Sequence, residues 1–289
     1  MVSLLRTRFV CVGVAHNGRG ALKDEEGELC RKIVDQSRSS SLQGLYVVNA
    51  AGDVVEYVME FDAKEVKRVL EKALHEYKAV DIPPGDGGRR ETRLDLPEGV
   101  TVVDVFTKVL GGYGPPKNKE GTLRYSLEKA WQNGIGRDHL WIRKDEAEEL
   151  GKGMLPESLK NRIGRFHLVD DSRGTPLWWK AGEIRSVEMT FVQGRLTGTF
   201  RYETAGGDRG FEGEILGFVE AKGGKVTRFD VVARGQFWGK AIYSDLSSPE
   251  GGGPKGKYPV AVAFSLADPK DVLYRLQPDV LRGARDYLR

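Results

Sequence analysis

Residues 184–234 read IRSVEMTFVQGRLTGTFRYETAGGDRGFEGEILGFVEAKGGKVTRFDVVAR, and the alternation within them decides the fold. Val187, Met189 and Phe191 alternate with Glu188 and Thr190. After Gly194, Leu196, Gly198, Phe200 and Tyr202 alternate with Thr197, Thr199 and Arg201. Beyond the Gly206-Gly207-Asp208 turn, Phe211, Gly213, Ile215, Gly217 and Val219 recur at period two, and Phe229, Val231 and Ala233 do so after Gly223-Gly224. Long period-two runs separated by turn residues specify an antiparallel meander with one face packed and one wet. Glycines at 198, 213 and 217, inside the strands, are what a strongly bent or closing sheet tolerates, so a barrel or a curved sheet is expected.

Working outward, residues 258–266 (YPVAVAFSL), 139–143 (HLWIR) and 165–169 (RFHLV) read as further strands, for about seven between 139 and 266. Helical spacing marks 122–132, 145–150 and 156–163, the last with its proline in the first turn. Residues 100–110 are apolar and β-branched. Nearer the start, 8–15 (RFVCVGVA) has the unbroken apolar pattern of a strand buried on both faces. A helix over 24–37 carries Leu29, Cys30, Ile33 and Val34 on one stripe. Strands at 44–49 and 54–59 flank a turn at 50–53, and Asp62 with Glu65 forms a capping box for a helix facing inward with Val66, Val69, Leu70, Ala73, Leu74 and Tyr77. Pro83, Pro84, Gly85, Gly87, Gly88 and Pro97 make 81–99 a linker. The expected class is α+β, with an α/β segment at 1–80 and a β-rich domain at 100–289.

The run SLQGLYVVNAAGDVVEYV, followed by an amphipathic helix, resembles the C-terminal half of a thioredoxin-like domain over residues 8–78. The family's Cys-x-x-Cys would lie upstream of Phe9, and Leu42 and Gln43 stand where its cis-proline belongs. The resemblance implies either a degenerate, non-redox relative or a chain that begins inside a longer, exported protein carrying the redox motif. Half of such a fold leaves a sheet edge open, to be paired within the chain or by a second copy in a homodimer.

Composition narrows the function classes. A net charge of +3 over 289 residues, spread along the chain, does not mark a nucleic-acid binder. No apolar run approaches the roughly 20 residues of a membrane span, and the first residues do not form a signal peptide. The compartment is left open. Two cysteines make neither a disulfide scaffold nor, alone, a zinc site.

Cys11 and Cys30 fit buried small hydrophobes, with a redox role as the alternative. His139 and His167 share similar settings near Asp138, Asp145, Asp170 and Asp171; adjacent in register, they would form a metal site. Residues 251–258 (GGGPKGKY) fail as a phosphate loop, because Tyr258 replaces the magnesium-binding hydroxyl and a strand follows where a helix must begin; the stretch instead suits a loop over a barrel mouth. The tryptophans 131, 141, 178, 179 and 238 fall in the second domain, and Arg137, Arg143, Arg165 and Arg173 would favour an anionic ligand if they converged. Arg137, Trp141, Arg165 and Trp238 are therefore the ligand-binding candidates. No motif names a cofactor. The expectation is a non-catalytic protein that binds a small molecule or a protein partner, with thiol redox chemistry or a metal-dependent enzyme using His139 and His167 as alternatives.

Overall fold

A computed structural model describes residues 2–11, 25–37, 44–81, 96–242, 252–271, 273–274, 276–282 and 287–288. The chain divides into two compact units, Met1–Arg90 with Asn118–Ala130, and Glu91–Lys117 with Trp131–Arg289. None of the described helices is long and apolar enough to cross a membrane.

The smaller unit holds α1 (Val2–Arg8), α2 (Glu25–Gln36), the antiparallel hairpin of β1 (Leu45–Val48) and β2 (Val54–Val58), and α3 (Ala63–Glu76). The Asn49 side chain closes the hairpin turn, accepting from the amides of Ala51 (3.0 Å) and Asp53 (2.9 Å). Helix α2 lies across that turn: Gln36 accepts from the Val54 amide at 2.8 Å, and Lys32 reaches Ala51 O and Asp53. Asp62 caps α3 as expected, but Glu65 does not complete the box. Its carboxylate accepts from Arg68, and Glu60 takes the Asp62 amide instead. The strand expected over 8–15 is not present at Phe9–Cys11: Arg8 ends α1 and the next three residues are irregular, with Val10 93% exposed. The rest of that stretch lies outside the described residues.

The larger unit is built on an open seven-stranded sheet, ordered β4-β3-β9-β8-β7-β6-β5 and antiparallel at every junction. Its strands are β3 (Thr101–Val109), β4 (Gly136–Ile142), β5 (Ile184–Val192), β6 (Arg195–Glu203), β7 (Gly210–Lys222), β8 (Lys225–Trp238) and β9 (Lys257–Leu266). The meander is β5 to β8, as its alternation requires. Leu196, Phe200, Tyr202, Phe211, Ile215, Val219, Phe229, Val231 and Ala233 all point into one core, with Trp179 and the helix α5 (Lys144–Gly151) over them. Strand β9 returns between β8 and β3, and the sheet does not close into a barrel.

The interior glycines show how the sheet coils. A Cβ on Gly198, Gly213, Gly217 or Gly235 would stand 2.0, 2.3, 2.2 or 2.0 Å from a carbonyl oxygen of the adjacent strand, and Gly213 faces Gly235 directly. Only glycine fits where strand backbones approach this closely. Gly235→Ala is expected to cost about 2 kcal/mol or more through forced backbone displacement. Thermal unfolding checks this against Gly182→Ala, where a Cβ meets nothing within 4 Å.

One expected strand is absent. Residues 165–167 belong to a π-helical turn, Ile163–His167, that continues α6 (Glu157–Arg162), with the Leu168 amide donating to Ile163 O at 3.0 Å, and Leu168 and Val169 follow as a bend. Among the described residues six strands therefore lie between 136 and 266, and β3 completes the seven. The helix widens by one residue per turn where Gly164 lets the Tyr202 hydroxyl approach to 2.5 Å of the position a Cβ would fill. Trp179 then pins the turn, its indole N–H donating to Leu168 O at 2.7 Å.

Candidate functional site

In the β3–β4 register Asp104 pairs with His139, Val105 with Asp138 and Phe106 with Arg137. Arg137 donates to Asp104 at 2.8 and 3.2 Å and to Asp271 at 2.9 Å. His139 Nε2 stands 3.3 Å from Asp104 Oδ1, off hydrogen-bond alignment. Burial pushes the His139 pKa down, against the pull of Asp104 and Asp138, so the imidazole is neutral at pH 7. His167 uses a different carboxylate: Nδ1 lies 3.2 Å from Asp138 Oδ2, and Nε2 pairs with the Tyr287 hydroxyl at 2.8 Å.

The two histidines thus do not converge. Each has its own aspartate, and among the described residues no group of three or more His, Cys, Asp or Glu side chains is placed to hold a metal ion. They are 3% and 1% exposed, which puts them out of reach of a substrate. The network serves the sheet. Strand β4 is an edge, and its outward amides are taken by side chains: His139 N donates to Asp138 Oδ1 at 2.7 Å and Trp141 N to the Tyr287 hydroxyl at 3.3 Å. Asp138 Oδ1 also accepts from the Asp279 amide at 2.9 Å. Two of the amides that an edge strand would offer to another chain are thus already taken.

Beside this lies a second buried group that the sequence marked only as nearby acidity. Asp170 accepts from Arg173 at 2.5 Å, from the Tyr258 hydroxyl at 3.1 Å and from the Ser172 amide and hydroxyl at 3.1 and 2.6 Å. Asp171 has no such company. Its Oδ1 lacks a hydrogen-bond partner and packs against Gly136, where a Cβ would stand 2.0 Å away. Burial, aided by the Asp138 charge, raises its pKa to about 8.

The accessible site is elsewhere in the larger unit. An open cleft of about 590 Å³ is lined by Arg201 and Glu203 of β6, Gly207 and Asp208 of the β6–β7 turn, Trp238 and Gly239 at the end of β8, and Pro254, Gly256 and Lys257 leading into β9. The register explains the convergence, because Gly210, Trp238 and Lys257 stand in one row across three strands. The turn is fixed by Thr204, whose hydroxyl meets Asp208 Oδ1 at 2.5 Å and whose amide donates to Arg209 O at 3.0 Å. That hydroxyl holds the Asp208 pKa below the usual carboxylate value. Lys257 stands 4.2 Å from the Trp238 ring centre and donates to Glu212 at 2.6 Å, which lowers the Glu212 pKa.

Of the four ligand candidates, Trp238 alone lines this cleft. Trp141 is 2% exposed within a second apolar cluster with Val102, Phe166 and Tyr287. Arg137 is tied to Asp104 and Asp271, and Arg165 stacks 4.7 Å over Phe166. Cys11 and Cys30 are both free thiols; Cys11 is exposed, contrary to its expected place in a buried strand, and Cys30 is half-buried. No protein-family model, curated protein or solved structure matches this chain.

Proposed function

We propose that this is a non-catalytic binding protein whose larger unit holds a small molecule in the cleft at Trp238. One observation carries the reading: the cleft brings an aromatic ring and side chains of both charges to the surface, whereas His139 and His167 are sealed inside. A cavity of this volume, with a few converging polar groups on a rigid sheet, has the build of a small-molecule site. In this reading the smaller unit is a thioredoxin-like segment without redox chemistry, supported by the order of its hairpin and α3.

The test is a fragment screen by ligand-observed NMR on the whole chain, repeated with Trp238→Ala and Arg201→Ala. Hits are expected to lose binding by about tenfold in at least the tryptophan variant. Hits indifferent to both substitutions, or a screen with none, would overturn the assignment.

A further inference from the structure

Resting on that reading of the cleft, we infer that its ligand is an uncharged carbohydrate stacked on the Trp238 indole. The ring is held as a platform. Its N–H is spent on Gly207 O at 3.0 Å, and its six-membered edge lies against Gly210, where a Cβ would stand 2.0 Å from Cζ2. Gly210 thus lets the indole lie down, and what the ring offers the cleft is hydrocarbon. The negative face of an indole attracts the weakly positive C–H groups of a pyranose much as it attracts a cation.

Charge selects within that class. The lining carries two cations, Arg201 and Lys257, and two carboxylates, Glu203 and Asp208, which sum to zero. Each is already answered inside the protein: Arg201 pairs with Glu203 at 3.0 Å, Lys257 with Glu212 at 2.6 Å, and Asp208 with Thr204. A charged ligand would meet no net field and would have to break these pairs. A polyol does neither, because paired carboxylates keep free lone pairs and a paired guanidinium keeps free N–H groups, in planar sets that suit neighbouring hydroxyls. Lys257 rests over the ring, but its side chain is 54% exposed, and an exposed cation–π contact is weak. A sugar ring displaces the ammonium to its own edge, where it donates to a hydroxyl.

The experiment titrates the full chain with neutral oligosaccharides (cellotriose, xylotriose, maltotriose and chitotriose) by saturation-transfer NMR and calorimetry. Benzoate and free amino acids serve as charged probes. Saturable binding of at least one sugar is expected, weakened about tenfold by Trp238→Ala and less by Trp238→Phe, which keeps an aromatic face. Lys257→Met is expected to weaken sugar binding by only a few-fold, less than Trp238→Ala does, since it removes one hydroxyl partner but bares the ring. If only charged probes bind, and binding needs Lys257, the carbohydrate falls while the cleft stands. If no sugar and no charged probe shows Trp238-dependent binding, both fall. The near-ultraviolet spectrum of each variant, matched to the parent, separates lost binding from lost folding.

Discussion

Asp171→Asn is expected to stabilise the larger unit at neutral and alkaline pH and to leave it unchanged near pH 4. The Asp171 carboxyl is buried beside Asp138 and Asp170, and its pKa rises from 3.8 to about 8, with burial the main cause. The Thr107 hydroxyl pulls the other way but sits outside hydrogen-bond geometry, so burial prevails. The sign follows from where the proton is held. Below pH 3.8 the carboxyl is protonated in both folded and unfolded chains and costs nothing. Between that value and about 8 the folded chain keeps its proton while the unfolded chain releases it, so stability falls as pH rises. The slope is about 1.4 kcal/mol per pH unit. Above the folded pKa both states are ionised and the loss is complete.

Asparagine keeps the shape and cannot ionise. The variant should therefore be more stable than the parent by roughly 2–5 kcal/mol at pH 8, with its advantage vanishing toward pH 4. Urea unfolding at four pH values between these limits reads the effect directly. Parallel curves for parent and variant would mean that Asp171 reaches solvent and titrates normally.

The meander was legible because its signal is long and local. Period-two runs with glycine turns leave one reading, and β5 to β8 follow it apart from register shifts at Ile184/Ser186 and Glu220/Ala221. RFHLV at 165–169 was not legible, since five residues of mixed polarity fit a strand or a tight helical turn equally well. What separates them is the approach of Tyr202 to Gly164, a contact between residues far apart in sequence. The place of β9 between β8 and β3 is similarly non-local. The histidines show the same limit at the level of chemistry. Their residue types pointed to a metal, but the register gives His139 to Asp104 and leaves His167 to Asp138. The cleft was half legible: Trp238 stood out as an aromatic, whereas Arg201, Glu203 and Lys257 join it only once three strands are in register.

Glu146→Ala is expected to cost the larger unit about 3–5 kcal/mol, as large an effect as any single side-chain truncation there. Glu146 is 1% exposed and holds together two helices and an edge. One oxygen accepts from the Arg143 amide at 2.9 Å at the start of α5 and from the Arg162 guanidinium of α6; the other accepts from Ser158 at 2.5 Å. Arg162 is itself 2% exposed, and its Nε and Nη1 meet no other acceptor among the described residues. Truncating the glutamate therefore strands a buried cation, which costs far more than the pair's net contribution. Glu146→Gln should cost less, because its carbonyl can still accept from the Arg143 amide and Arg162 while its NH2 donates to the Ser158 hydroxyl, and Glu146→Leu with Arg162→Met should recover much of the loss by removing both charges together. A cost below about 1 kcal/mol for Glu146→Ala would show that the guanidinium finds another partner. The damage should also reach the edge of the sheet. Arg162 lies 5.6 Å over the Tyr287 ring, and the Tyr287 hydroxyl covers the Trp141 amide of β4. Hydrogen exchange at Trp141 is accordingly expected to quicken in Glu146→Ala before β7 and β8, at the centre of the sheet, lose protection.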